Sequence, residues 1–344
     1  MIATWYGVVS FMLIAYVVLD GRNFGVGLLH WSIARTQEER RQVVAAIGPL
    51  WLWHEVWLVG FGGVLVAVFP RLMATAFAGY YLAVFLIVWG LILRGISLEV
   101  VGHINDRLWQ SFWDFVFVFS NFLLAILFGT AAGNVVRGVP LDANRNFSMA
   151  FFTDFGVRGH VGLLDWYTVS MALFTVVMLA AHGATYLALK TERPIHDRSA
   201  TYAKYLWIAL APLFLAISLE SWIVRPDLVA QAMSKPLCTL GVLAIGASTL
   251  TLASGLSTRH EMRAFLGSNL LLVSLLGTGG AALFPVMLHS TLAPEYSLTA
   301  FDAASSPSTF FYASMWWPIG CAFAIAYFTL ISRRYAGRVS RTDV

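Results

Sequence analysis

Residues 112–134 read FWDFVFVFSNFLLAILFGTAAGN, and this stretch decides the fold class. Asp114 is its only ionisable side chain. An α-helix rises about 1.5 Å per residue, so the stretch covers about 35 Å and can cross the ~30 Å hydrocarbon core of a bilayer. Lipid offers no hydrogen bonds to the backbone, and a chain at this depth therefore has to be helical.

Eight further stretches have the same character and are separated by short polar joints. Together they predict an all-α integral membrane protein of about nine transmembrane helices, forming a single polytopic membrane domain over residues 1–344. Short joints make consecutive helices antiparallel neighbours, which favours two four-helix bundles plus one helix. The eight stretches are 6–31, 48–70, 73–93, 161–189, 203–224, 237–254, 264–289 and 310–332.

Composition limits the function classes. The chain is 59% hydrophobic and 12% charged, so nine spans leave no room for a separate soluble catalytic domain. The net charge of +4 is explained by basic joints and gives no indication of nucleic-acid binding. Cys238 and Cys321 lack the spacing of a metal site and are predicted to be small apolar residues. No basic segment precedes the first span, which predicts a retained helix.

Lysine and arginine are distributed unequally between the two sets of joints. The joints after the first, third, fifth and seventh spans, together with the carboxyl terminus, contain most of the 22 basic residues. The positive-inside rule therefore predicts an amino terminus outside and a carboxyl terminus in the cytoplasm. The inside set is Arg35, Arg40, Arg41, Arg94, Arg107, Lys190, Arg193, Arg198, Lys204, Arg259, Arg263, Arg333, Arg334, Arg338 and Arg341, and the outside set is Arg71, Arg137, Arg145, Arg158, Arg225 and Lys235.

Asp20 is a charge at membrane depth, where charges are costly and usually functional. It opens the stretch DGRNFG, residues 20–25, whose glycines and polar side chains predict a break or kink in the first helix. Two interpretations stay open. Asp20 either pairs with Arg22 to neutralise the break, or it is a carboxylate that exchanges protons.

His54 and Glu55 lie within the second span, surrounded by Trp51, Trp53 and Trp57. An aromatic cluster around two ionisable groups permits two functions. The pair either relays protons or forms a hydrogen bond that fixes helix packing.

The remaining ionisable residues near spans have structural and functional interpretations. Arg94 and Glu99 are expected to anchor the inner end of the third helix. Asp114 and Asp165 are expected at the amino ends of the fourth and fifth helices, where carboxylates are favourable. His182 lies beside Gly183, which favours close helix packing, although an intramembrane histidine can also ligate haem.

Recognisable soluble-enzyme motifs, such as a P-loop or HExxH, are missing from the sequence. The residues alone leave three classes open: a subunit of a redox complex, a proton-coupled transporter and a membrane scaffold.

Several stretches in collinear order resemble subunit II of the cytochrome bd-type quinol oxidases. The most specific are GGAALFP at 279–285 and SLTAFDAASS at 297–306. Each motif alone is weak, but together they cover essentially the whole chain. Arg94, Glu99, Asp114 and Asp302 fall within such motifs and are predicted to be structural or interface residues. The other matching stretches are 20–27, 39–41, 48–58, 94–99, 113–114, 133–140 and 183–191.

The resemblance implies a bacterial inner-membrane heterodimer. A haem-bearing subunit I would carry haem b and haem d and oxidise quinol, while oxygen is reduced to water with cytoplasmic protons. No cofactor is firmly expected in this chain, although some family members hold a structural quinone. Lipid and small single-helix accessory subunits are further expected partners.

Two family acids are replaced in this chain. Asn23 stands where the family motif Asp-Gly-Phe-Asp has its second acid, and Leu52 replaces an acid that the family links to proton entry. We therefore predict a non-haem subunit in which Asp20, Glu55 and His54 assist proton delivery. The alternatives are a proton-coupled transporter and a haem-binding subunit that uses His54 or His182.

Overall fold

The computed structural model describes residues 1–340, so Arg341, which was assigned to the inside set, lies outside the described part. Thirteen helices and one two-stranded sheet account for most of these residues. The helices are α1 (Ile2–Ile33), α2 (Gln37–Ile47), α3 (Trp51–Val68), α4 (Pro70–Gly79), α5 (Tyr81–Val100), α6 (Arg107–Arg137), α7 (Trp166–Lys190), α8 (Ile195–Val224), α9 (Pro226–Met233), α10 (Pro236–Ser257), α11 (Glu261–Leu283), α12 (Ala300–Ala303) and α13 (Pro307–Arg334). The strands are β1 (Val286–Leu288) and β2 (Leu298–Thr299).

Nine helices within residues 1–340 are long and apolar enough to cross a membrane, which confirms the predicted fold class. They are α1, α3, α5, α6, α7, α8, α10, α11 and α13. Several predicted boundaries were wrong. The third span is α5, and α4 is a separate short helix that begins at Pro70, because proline suits the first turn of a helix. The eighth span ends at Leu283, before β1.

Helix α1 continues through Asp20–Asn23, so the first span is not broken there as one of the two sequence expectations had it. The glycines of this stretch serve close packing. A Cβ at Gly25 would overlap the Leu179 carbonyl oxygen of α7, and Gly183 of α7 lies against the backbone of Gly25 in the same way. Small residues allow two helix backbones to approach this closely in a membrane.

Helix contacts within each half of the chain are joined by extensive contacts between the halves. In the first half, α1 packs on α3 and α6, and α5 packs on α6; in the second, α7 packs on α8 and α11, and α10 packs on α11. Contacts of α7 with α1 and α6 join the halves, and α13 lies against α3. The contacts between the halves are as extensive as many of those within them, so the division into two separate bundles stays a prediction.

The two ends of the helices differ in their connections. At one end, which we call the α2 side, α2 is joined to α8 by Glu39 and Arg198, and Gln42 donates to the backbone of Val339. At the opposite end, the strand side, β1 pairs with β2 and Val139 bridges to Ser290.

Candidate functional site

Four of the ionisable residues that the sequence places in or beside spans come together from α1, α3 and α5. They are Asp20 of α1, His54 and Glu55 of α3, and Arg94 of α5. We call them, with Arg22 and Asn23 of α1, the Arg94 cluster. Asp20, His54 and Arg94 are fully buried. A buried charge is tolerated only when another charge or a hydrogen bond compensates it, so the partners of each group matter.

Arg94 is at the centre of the cluster. Its Nη2 lies 2.8 Å from Asp20 Oδ2 and 2.5 Å from Glu55 Oε1, so one guanidinium joins carboxylates from two other helices. Its charge also lies over the ring of Phe24, 4.4 Å from the centroid. The anchoring role expected for Arg94 at a span end was wrong, because α5 continues to Val100 and places Arg94 inside the span.

His54 is held by two side chains of α1. Its Nε2 lies 2.7 Å from Arg22 Nη2, and its Nδ1 lies 2.8 Å from Asn23 Nδ2. Asn23 also donates to Asp20 Oδ1 at 2.8 Å. The pairings expected from sequence, Asp20 with Arg22 and His54 with Glu55, are replaced by these contacts between helices.

Glu55 connects the cluster to the outer surface of α3. Its side chain is 21% exposed, whereas the Asp20 and Arg94 side chains are fully covered. Its neighbours Leu52, Val56 and Val59 are exposed hydrophobic residues on the same helix. The cluster therefore has one carboxylate at the surface of the described chain and one carboxylate inside it.

Hydrogen bonding within the Arg94 cluster is incomplete. Buried polar atoms in proteins are usually satisfied, and exceptions call for a physical reason such as water or a catalytic role. The side-chain atoms without a hydrogen-bond partner are Asp20 Oδ2, whose contact with Arg94 is an ion pair, Arg22 Nε, Asn23 Oδ1, Arg94 Nε, Arg94 Nη1 and the hydroxyl of the adjacent Tyr16. Groups in this condition can exchange protons or hold water.

A second ion cluster lies at the strand side and consists of Asn134, Arg137 and Asp165, which we call the rim cluster. Arg137 at the end of α6 is paired with Asp165 and with Asn134 Oδ1. Asp165 is the N-cap of α7, as the sequence predicts, and accepts hydrogen bonds from the backbone of Tyr167 and Thr168 at 2.8 and 2.9 Å. This cluster connects two helix ends.

The other candidate residues lie apart from the Arg94 cluster. Glu99 accepts a hydrogen bond from Trp51 at 3.3 Å. Asp114 is inside α6 and contacts His30 and Arg40, so its expected place at a helix start was wrong; Asp106 caps α6 instead. These contacts are consistent with structural roles.

Asp302 and His182 also have protein partners. Asp302 caps α12 together with Thr299 and pairs with Arg145 at 3.1 Å. His182 lies within hydrogen-bonding distance of Ser268 Oγ (2.9 Å) and the Val18 carbonyl (3.1 Å). Haem ligation by His182 would replace one of these two contacts. Ligation by His54 would replace its contact with Arg22 or with Asn23.

Sequence reasoning missed Arg22 and Asn23 as partners of His54. Their positions supply a usable signal: Asp20 and Asn23 are three residues apart on one unbroken helix and therefore share a face. Assuming a break at this point hid that relation. Among residues 1–340, no group of three or more His, Cys, Asp or Glu is arranged to hold a metal ion.

Comparisons with known proteins match this chain over nearly its full length. The family model of cytochrome bd terminal oxidase subunit II matches residues 1–334. Cytochrome bd-I ubiquinol oxidase subunit 2 of Escherichia coli is 29% identical over 331 residues, covering 89% of this chain and 86% of that protein. Cytochrome bd ubiquinol oxidase subunit 2 of Bacillus subtilis is 25% identical over 305 residues, covering 88% and 86%.

A solved structure has the same fold. The bd oxidase from Geobacillus thermodenitrificans matches with a TM-score of 0.74 and 14% identity, over 97% of this chain and 98% of the matched chain. The agreement covers the whole arrangement of helices.

Proposed function

This chain belongs to the cytochrome bd terminal oxidase subunit II family, and we propose that it is the non-haem subunit of a quinol:oxygen oxidoreductase. Its partner is a haem-bearing subunit I that contains haem b and haem d. The chain stabilises that subunit and assists the delivery of protons for the reduction of oxygen to water.

The observation that carries the proton-delivery role is the pairing of Asp20 and Glu55 through Arg94. Both carboxylates lie within 2.8 Å of one guanidinium nitrogen, at membrane depth. Moving a proton through a low-dielectric interior requires exchangeable groups close enough to share it. Asp20, His54 and Glu55 provide such groups between the inside of α1 and the surface of α3.

The uneven distribution of basic residues supports an orientation for this multi-pass membrane protein. The α2 side, with Arg35, Arg40, Arg41 and Arg198, faces the cytoplasm, and the amino terminus lies outside. Protons from the cytoplasm then enter from the α2 side. The membrane is the bacterial inner membrane.

An apolar cleft of about 310 Å³ between α1, α3 and α13 could accommodate a structural quinone or a lipid chain. It is lined by Trp57 and Trp317 and opened by Gly60, Gly63 and Gly320. Small single-helix accessory subunits complete the proposed set of partners, and quinol oxidation takes place on subunit I.

Replacing Glu55 with Gln tests the proton-delivery role. The amide keeps the size and one acceptor oxygen for Arg94 but cannot bind and release a proton. We expect oxygen turnover by the purified complex to fall about tenfold, equivalent to ~1.4 kcal/mol on the barrier, while the amount of assembled complex stays near the wild-type level.

Glu220→Gln is the matched control. Glu220 is also a carboxylate inside a span, but it lies on α8 and accepts a hydrogen bond from Ser170 at 3.2 Å. Its replacement should leave turnover unchanged. Normal oxygen consumption in Glu55→Gln would remove Glu55 from the proton route.

A further inference from the structure

Four side chains of the Arg94 cluster form a continuous polar chain, which we call the amide relay. Asn23 is its centre, with one contact to Asp20 and one to His54. All four are at most 7% exposed, so bulk water does not set their hydrogen bonding. The four are Asp20, Asn23, His54 and Arg22.

The contact between Arg22 and His54 fixes one end of the relay. A guanidinium has only donors. The 2.7 Å contact is therefore a hydrogen bond only when His54 Nε2 accepts. A neutral imidazole then has its single hydrogen on Nδ1, and that nitrogen needs an acceptor.

Among the described residues, the Asn23 amide is the group within hydrogen-bonding distance of Nδ1, at 2.8 Å, whereas Asp20 Oδ1 is 3.9 Å away. The amide oxygen takes this place when the group turns by half a rotation, since its oxygen and nitrogen have nearly the same shape. After this turn the Asn23 oxygen occupies the former position of the amide nitrogen, which is 2.8 Å from Asp20 Oδ1. Two oxygens at this distance need a hydrogen between them, so Asp20 must be protonated. In this state every contact of the relay is a hydrogen bond.

The opposite state begins with an ionised Asp20. The Asn23 amide nitrogen now donates to both Asp20 and His54, as the 2.8 Å contacts allow. The His54 hydrogen is then on Nε2 and points at an N–H donor of Arg22. Two donors cannot form a hydrogen bond, so the contact between His54 and Arg22 is lost. Arg22 keeps a second interaction over the Tyr186 ring, 4.7 Å from the centroid, so it can turn from His54 without losing all compensation.

The balance of charges favours the state with ionised Asp20, whereas the hydrogen bonds of the relay favour the protonated state. With Asp20 ionised, the carboxylates of Asp20 and Glu55 equal the two guanidiniums in number, whereas protonation leaves one positive charge in excess. The excess is costly at membrane depth. One state makes every contact of the relay a hydrogen bond and the other balances the charges, so neither state is favoured by both terms.

The charged and titratable groups near Asp20 lie on α1, α3, α5 and α7. Arg94 of α5 and Glu55 of α3 are its charged neighbours, and His54 Nδ1 of α3 lies 3.9 Å from its Oδ1. Tyr16 and Arg22 lie on its own helix. On α7, His182 contacts the α1 backbone at Val18. None of these groups resolves the conflict between the two ends of the relay.

We propose that the amide relay is a two-state proton-loading element, in which a proton bound at Asp20 reverses the Asn23 amide and moves the His54 ring hydrogen from Nε2 to Nδ1. The ionised form plus one proton gives the protonated form. His54 gains a proton at Nδ1 as it loses one from Nε2, and the added proton stays on the Asp20 carboxyl. The proposal rests on the proposed function for its proton source, and it makes Asn23 and Arg22 positioning residues.

The test follows both ends of the relay in the purified complex labelled with ¹⁵N-histidine. Infrared spectra over a pH series report the carboxylic acid C=O stretch of Asp20, identified by its loss in Asp20→Asn. Nitrogen NMR reports which ring nitrogen of His54 is protonated, identified by loss of its signals in His54→Gln. We expect both signals to change at the same midpoint, with complete exchange of the two nitrogen types.

Two variants should uncouple the signals. In Asp20→Asn, the new amide can donate to Asn23 as a protonated Asp20 would, so His54 stays in the Nδ1–H form at every pH. In Asn23→Leu, the His54 tautomer should no longer follow Asp20. A His54 tautomer that stays constant through the Asp20 transition in the wild type would overturn the proposal, even if Asn23→Leu did not fold.

The outcome is separable from the test of Glu55. Coupled signals together with unchanged turnover in Glu55→Gln would support the relay and contradict the proposed proton route. Uncoupled signals together with slowed turnover in Glu55→Gln would contradict the relay and support the proposed proton route.

Discussion

The rim cluster and the Arg94 cluster both bury an arginine against a carboxylate, but their surroundings differ. At the rim, Arg137 and Asp165 lie at the ends of α6 and α7, where free backbone groups supply further partners. No side-chain nitrogen or oxygen of the three rim residues is left without a hydrogen bond, whereas the Arg94 cluster has several such atoms.

The difference shows that burial of charge alone does not identify a functional site. A satisfied ion pair resists change because any movement breaks bonds, and it therefore suits a structural role. In an incompletely satisfied group of charges, a change of protonation breaks fewer hydrogen bonds. The following variants measure whether the two clusters differ in this way.

Replacing Arg137 with Leu should give the largest effect. It leaves Asp165 buried without a counter-ion and should cost about 3–5 kcal/mol. We expect a strongly reduced yield of complex and a lower unfolding temperature, with turnover per assembled complex unchanged.

The double variant Arg137→Leu/Asp165→Asn sharpens this test. Asn retains an oxygen to cap α7 and removes the uncompensated charge, so part of the lost stability should return. A large drop in turnover per complex, in either variant, would show that the rim cluster takes part in function.

Replacing Arg94 with Gln should have a smaller effect on stability and a larger one on activity. Without the guanidinium, Asp20 and Glu55 can remain neutral by keeping their protons, which avoids buried charge but stops proton release. We expect turnover per complex to fall about tenfold, measured as oxygen consumption by purified complex.

Arg94→Lys is the conservative partner of that variant. It retains a charge but only a single nitrogen, so it should recover part of the activity. If Arg94→Gln lost stability as Arg137→Leu does while its turnover per complex stayed normal, the contrast between the clusters would disappear.

The ion pair of Glu39 and Arg198 extends the comparison to the α2 side and should show the smallest effect. Hydrogen bonds from Arg198 at 2.7 and 2.9 Å lower the pKa of Glu39 to about 2. A lowered carboxyl pKa adds stability above the ordinary value of 4.5, and this is lost as the pH falls toward 2. Glu39→Gln should therefore cost about 1–2 kcal/mol at pH 7 and less at pH 3.

Thermal unfolding of the complex at these two pH values measures the effect. Glu192→Gln, at an exposed position in the joint before α8, should change stability little at either pH. A loss in Glu39→Gln that is equal at pH 7 and pH 3 would mean that the charge of Glu39 does not contribute.

Hydropathy was sufficient to predict the nine spans, because each one is decided locally by length and composition. The residues at which the spans begin and end were less predictable. Arg94 was placed in a joint since a charge interrupts the apolar stretch, yet α5 continues past it because Asp20 and Glu55 compensate that charge. Their contacts join residues far apart in the chain.

The same reason explains the error at residues 20–25. Glycines with polar neighbours usually indicate a break, but here the glycine side of α1 packs on α7 and the polar side faces α3. Periodicity along one segment cannot show which neighbouring helix will cover each face. The resemblance to a family supplied the partner and the overall function, which single residues did not.

The glycine contact between α1 and α7 also limits how this protein can move. Where Gly25 and Gly183 meet backbone to backbone, α1 and α7 have no side chains between them that could slide or repack. Carriers that open to one side of the membrane and then to the other usually rock one bundle against its neighbour. In this molecule such rocking would have to separate the backbone contact of α1 and α7, so the proposed proton delivery is expected to use turning side chains rather than moving helices.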